Sequence, residues 1–91
     1  MREYMPRVSV IVPTFNRSNM IARAVRSALA QTYQDIEIIV VDDGSTDETE
    51  KIITQIALED SRARYLKHGT NKGMQAARNT GVTAAQGEFI A

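Results

Sequence analysis

The 91-residue sequence contains no cysteine and no tryptophan, one histidine and two prolines. Without cysteine there is no disulfide framework and no thiolate metal site, and such a chain suits a reducing compartment. His68 stands alone, which makes it a poor metal ligand; it reads as a strand-end histidine in a satisfied hydrogen bond. No Ser-His-Asp or Cys-His set is assembled by any obvious spacing, so nucleophilic hydrolysis has little support. Charge of one sign is also missing. Eleven basic and eleven acidic residues cancel, leaving no field to draw in nucleic acid or an anionic membrane. No apolar run approaches the ~18 residues of a membrane span. The N-terminal "MREYMPR" lacks the apolar core of a signal peptide. These absences lead to the expectation of a soluble, cytoplasmic chain.

What is present fits one small domain over residues 1–91. Apolar residues make up 43% and charged residues 24%, as in ordinary folded chains. "RVSVIV" (7–12) is rich in β-branched residues and closes on Pro13, which cannot donate to a sheet ladder. "SNMIARAVRSALAQ" then spaces Met20, Ile21, Ala24, Val25, Ala28 and Leu29 as one helical stripe, with Ser18 or Asn16 as its cap. "IEIIVV" (36–41) is a second strand interrupted only by Glu37, a pattern of burial on both faces that belongs to parallel sheets. Ser45 and Glu48 have the spacing of a capping box for a helix running to about Glu59, whose buried stripe is Ile52, Ile53, Ile56 and Ala57. "ARYLKH" (63–68) is a weaker strand. A helix from Met74 to Ala85 carries the small stripe Ala76, Ala77, Thr80, Gly81, Ala84 and Ala85, so it should lie close to the sheet. "EFIA" opens a fourth strand.

Strands and helices alternate, which predicts a Rossmann-like three-layer α/β/α architecture with a parallel sheet of order 3-2-1-4. That order brings the turns "PTFNR", "DDGS" and "GTNKG" to one carboxyl edge, with the switch point between strands 1 and 4. Asp42 and Asp43 end the buried run Ile38 to Val41. Two like charges there are costly unless they meet donors, a cation or water. Neighbouring side chains face opposite ways along a strand. We assign Asp43, nearer the tip, to a ligand's ribose or base and Asp42 to backbone N–H groups of neighbouring turns. The alternative is that both merely form an Asx-type turn before Gly44. In "GTNKG", Gly73 lets backbone N–H groups approach a phosphate at a helix N-terminus, with Lys72 and Arg78 adding charge. The alternative there is a flexible glycine loop with solvated charges. Neither G-x-x-x-x-G-K-[ST] nor a G-x-G-x-x-G after the first strand occurs. Tyr33, Phe15 and Tyr65 read as packing residues, with Phe15 beside Pro13 placed to border a base pocket.

"VSVIVPTFNR", "SALAQTYQDIEIIVVDDGSTDET" and "NKGMQAARNTGVTAAQGEFIA", in this order, resemble the N-terminal half of family 2 glycosyltransferases of the GT-A fold. The resemblance covers nearly the whole chain. It implies a truncated GT-A domain whose nucleotide-sugar, usually a UDP-sugar, meets Pro13, Thr14, Phe15 and Asp43. Asn71, Lys72, Gly73 and Arg78 would border the uracil or the phosphates. In the family an Asp-x-Asp motif binding catalytic Mg2+ or Mn2+ follows "GEFIA" within a few residues, and the acceptor region and general base come later. None of these lies in the present chain. Inverting transfer needs that base and that cation. The expectation is therefore a donor-nucleotide half without catalytic or metal residues, inactive alone and prone to self-association through an uncovered sheet edge. A non-catalytic α/β binding or partner-docking module is the alternative. A phosphoacceptor receiver domain fails, because Pro13-Thr14 and His68-Gly69 stand where its acids should be.

Overall fold

The computed structural model describes residues 6–31 and 33–91, so most of the N-terminal segment read for a signal peptide lies outside the described residues. Seven elements alternate: β1 (Val8–Thr14), α1 (Ser18–Leu29), β2 (Ile36–Asp42), α2 (Thr49–Glu59), β3 (Ala63–Lys67), α3 (Met74–Ala84) and β4 (Phe89–Ile90). All strand pairs are parallel and the sheet order is β3-β2-β1-β4, as expected from the alternation. β2 is buried along its whole length.

Strand alternation divides the core between the two faces. Ile36, Ile38 and Val40 of β2 meet Ile21 and Val25 of α1 and Ile53 and Ile56 of α2. Ile39 and Val41 point the other way and, with Ile11, pack on Ala77 of α3. The small stripe of α3 has the predicted consequence. A Cβ built on Gly81 would lie 2.4 Å from Ile11 Cγ2 and 3.2 Å from Val41 Cγ2. Only glycine allows this helix its distance from the sheet.

Several boundaries differ from the sequence expectation. β1 continues through Pro13 to Thr14. In a parallel strand alternate residues bond to alternate neighbours: Thr14 O accepts from Asp43 N on the β2 side, while Ser9 and Ile11 bond to Ala91 on the β4 side. Pro13 shares the parity of Ser9 and faces the β4 side, so its missing N–H takes nothing from the long β1–β2 ladder. In α1 only Ile21 and Val25 are buried; Met20 and Ala24 are exposed, because the helix meets the sheet along a narrower stripe than the spacing suggested. Tyr33, expected to pack, is 48% exposed. Neither Ser18 nor Asn16 caps α1, and Ser45 does not cap α2, which begins only at Thr49. The side chains of Asn16 and Ser45 are engaged between loops instead.

Glu37, the one charge within the second strand, lies on the α3 face at the amino end of the sheet and is 2% exposed. It accepts from Ser9 Oγ (2.6 Å), Arg64 Nη1 (2.9 Å) and Gln86 N (2.7 Å), and Ser9 Oγ in turn accepts from Gly87 N. Arg64 also donates to the carbonyl of Ala84. This buried knot fastens the turn between α3 and β4. Burial alone would push the Glu37 carboxyl up, but the Ser9, Gln86 and Arg64 bonds together outweigh it and hold the group below the ordinary range.

Candidate functional site

The loop following β2 ties the carboxyl edge of the sheet together. Asp42 stays on the α1/α2 face, where its carboxylate accepts from its own loop at Ser45 N (2.9 Å) and from the Tyr65 hydroxyl of β3. Burial and this carboxylate push the Tyr65 hydroxyl well above its ordinary value, so it remains a donor. Asp43 turns to the α3 face. Its Oδ1 accepts from Lys72 N and lies 2.8 Å from His68 Nδ1; its Oδ2 accepts from Gly73 N at 2.7 Å. The Lys72 N–H is the chief reason the Asp43 carboxyl is held below its usual range, outweighing the cost of burial with help from His68 and Gly73. It is an ionised acceptor at neutral pH.

The same loop reaches the turn after β1. Ser45 Oγ accepts from Asn16 N (2.8 Å), and Asn16 Oδ1 accepts from Thr46 N (2.8 Å). Asn16 is held at φ 50°, a left-handed conformation that asparagine tolerates better than most residues. Asp47 accepts from Ser18 N at the start of α1 and from both the N–H and the hydroxyl of Thr49 at the start of α2. One carboxylate thus serves two helix N-termini, where a negative charge is favoured. Gly44, at φ 83°, lets the loop pass against the third turn: a Cβ there would stand 3.2 Å from Asn71 N.

Between these turns lies an open cavity of about 290 Å³ lined by Pro13, Thr14, Phe15, Arg17, Asp43, Asn71, Gly73 and Met74. Six residues expected from the sequence therefore converge: Pro13, Thr14, Phe15, Asp43, Asn71 and Gly73. Lys72 supplies its backbone N–H to Asp43, but its exposed side chain is not part of the lining, and neither is that of Arg78 on α3. Arg17 and Met74 line the cavity without having been singled out. Their signal was adjacency: each closes or follows a turn that the topology brings to this edge. The amides of a neighbouring turn, expected to bond to Asp42 and to approach a phosphate, are instead taken by Asp43 at Lys72 and Gly73. Asp42 bonds to Ser45 N of its own loop and to the Tyr65 hydroxyl, because the α3 face, where that turn lies, is the one Asp43 turns to. His68 is hydrogen-bonded and nearly buried, as expected, and its ring partners are Asp43 and Thr80. The acids do not suit a divalent cation, which requires several convergent oxygen ligands. Their oxygens face N–H and O–H donors, and among the described residues no group of three or more His, Asp or Glu gathers.

Chemically, the cavity offers apolar surface from Phe15, Pro13 and Met74 beside an amide at Asn71 and a guanidinium at Arg17. Such a mixture can take a planar heterocycle and a neighbouring anion. Comparison with known proteins narrows this. Residues 9–91 match the sequence model of glycosyl transferase family 2. A β-1,3-glucosyltransferase of Campylobacter jejuni acting on GalNAc(5)-diNAcBac-PP-undecaprenol is 40% identical over 87 residues, spanning 94% of this chain and 28% of that protein. An uncharacterised glycosyltransferase of Haemophilus influenzae is 43% identical over 86 residues, spanning 94% of this chain and 34% of its own length. The chain thus spans about a third or less of these relatives. Among solved structures, the mannosyltransferase PcManGT of Pyrobaculum calidifontis, in complex with GDP-Man and Mn2+, superposes with TM-score 0.85 and 32% identity, covering 96% of this chain and 26% of that one. S. aureus TarS in complex with UDP-GlcNAc gives TM-score 0.83 and 33% identity, covering 92% and 25%. The match to the family's sequence model over nearly the whole chain, together with these relatives, places the chain in glycosyl transferase family 2.

Proposed function

We propose that this chain forms the nucleotide-binding part of a glycosyltransferase donor site, taking the nucleoside diphosphate of a nucleotide-sugar, with UDP as the first candidate. The observation that carries the reading is the cavity itself: three turns, linked through one loop, face each other at the switch edge of a parallel sheet. At about 290 Å³ it is near the lower limit of small-molecule sites, sized for the nucleoside part with the sugar extending outward. Phe15 and Pro13 border the base, Asn71 hydrogen-bonds its edge, and Arg17 faces the phosphates. Lys72 and Arg78, both exposed, act from the rim on the phosphates. Asp43 supplies a fixed negative charge and holds the Lys72–Gly73 backbone against the ligand. Where Mg2+ or Mn2+ assists transfer of the sugar to an acceptor hydroxyl, it would stabilise the departing diphosphate.

The test is titration of UDP and, separately, GDP into the protein and into Asp42→Asn and Asp43→Asn, followed by calorimetry. An asparagine at 42 can still accept from Ser45 N while its amide donates to Tyr65, so binding should persist. At 43 both oxygens accept backbone N–H groups, which an amide cannot reproduce, and affinity should fall about tenfold or more. GDP binding in place of UDP would change the base while keeping the donor site. Binding of neither, with the fold intact, would overturn the reading and leave a non-catalytic partner-docking module.

A further inference from the structure

His68 lies one residue beyond β3, and its backbone N–H donates to Asp42 O (2.8 Å), holding it level with the acids. It shares the parity of Leu66, so its ring turns to the α3 face, where it is 9% exposed. Nδ1 lies 2.8 Å from Asp43 Oδ1, and Nε2 lies 2.8 Å from Thr80 Oγ1. Thr80 Oγ1 is also 3.1 Å from the carbonyl of Ala76, a backbone acceptor one turn earlier in α3. The ring therefore bridges the tip of β2 to the second turn of α3.

We propose that His68 is a positioning residue of the donor site: it orients the Asp43 carboxylate so that both oxygens meet the Lys72 and Gly73 amides, and so sets the wall of the cavity. The proposal rests on the nucleotide-site reading above. Proton counting supports it. An ionised carboxylate only accepts, so Nδ1 must carry a hydrogen for the bond to Asp43. The Thr80 hydroxyl has a single hydrogen. If that hydrogen goes to Ala76 O, Nε2 must donate as well; if it turns to Nε2, the Ala76 bond is given up. In both arrangements Nδ1 is protonated, so the Asp43 bond survives whichever way Thr80 points. With its ring held from both sides, His68 restricts Asp43 to one rotation. That rotation puts Oδ1 toward Lys72 N and Oδ2 toward Gly73 N, the residue preceding α3.

Three measurements test this. Nitrogen-15 spectra of the histidine ring should show Nδ1 protonated. In His68→Leu, hydrogen exchange at the Lys72 and Gly73 amides should accelerate about tenfold or more relative to amides of β2, which report global opening. UDP affinity should fall about tenfold, whereas His68→Asn, whose amide can donate from near the position of Nδ1, should restore most of both effects. A purely structural role would move all amides together and leave affinity tracking the melting temperature. A ring without a hydrogen on Nδ1, or unchanged Lys72 and Gly73 exchange in folded His68→Leu, would overturn the proposal. Should His68→Leu fail to fold, the ring spectrum of the unsubstituted protein and the exchange of His68→Asn against His68→Gln decide it. Failure of the unsubstituted protein to bind UDP would count against the nucleotide reading alone, since the ring and exchange measurements need no ligand.

Discussion

Asp43 and Glu37 are both fully or nearly fully buried acids, and neither is held by charge pairing alone. Asp43 takes two backbone amides and an imidazole; Glu37 takes a hydroxyl, a guanidinium and an amide. Both carboxyls sit below their ordinary values because donors to the charged form outweigh burial. The unfolded chain therefore binds protons more readily than the fold. Their stabilisation is complete above the ordinary carboxylate range of about pH 4–5 and is lost as pH falls through the depressed folded values. Urea unfolding at a series of pH values should show the midpoint falling steeply in that acid range. Glu37→Gln should lower stability at neutral pH by about 1–3 kcal/mol and flatten the acid slope. A midpoint constant from about pH 6 to 3 would contradict this account of the two acids.

α3 joins the two ends of the sheet. Its N-terminus carries the Lys72–Gly73 amides that Asp43 holds, and its C-terminal carbonyl at Ala84 receives Arg64 above the Glu37 knot. Its close approach depends on small residues. Gly81→Ala brings a methyl to 2.4 Å from Ile11 Cγ2, on a β-branched side chain with little freedom to turn aside. Overpacking of that kind costs about 1–3 kcal/mol, against a gain in helix propensity of about 1 kcal/mol from replacing glycine. The net expectation is destabilisation, read as a lower denaturation midpoint with a faster-exchanging Gly73 amide. A midpoint equal to or above that of the unsubstituted protein would show that α3 can shift outward at no cost.

At the scale of the whole molecule, the sheet is closed on one side by α1 and α2 and on the other by α3, but its β4 edge is thin. β4 pairs with β1 only at Val8 and Ser9, with Ala91 extending the ladder to Ile11. Phe89 and Ile90 are 54% and 43% exposed, and the Arg7 guanidinium lies 5.5 Å from the Phe89 ring. A short, apolar edge strand is a template for pairing with another chain. Light scattering over roughly tens to hundreds of micromolar should show mass rising above that of the monomer, and Ile90→Lys should reduce the rise. A constant monomer mass would show that the edge is too short or too frayed to pair.

Local sequence determined the order of elements and which strand is covered on both faces. Period-two and period-3.6 patterns gave the alternation, the unbroken apolar run of Ile38 to Val41 marked a strand covered on both faces, and parity sent Asp42 and Asp43 to opposite sides. Helix starts were legible only in part. The Ser45–Glu48 spacing fits a capping box, yet Ser45 Oγ is taken by Asn16 N, 29 residues away, and α2 starts later. The donors that satisfy Asp43 lie 25 to 30 residues further along the chain. No periodicity encodes such bonds. They exist because a parallel sheet aligns the carboxyl ends of its strands, so turns distant in sequence become neighbours only after the strands have paired. The tertiary structure thereby decided that His68 grips Asp43, that Arg17 and Met74 line the cavity, and that Lys72 takes part through its backbone rather than its charge.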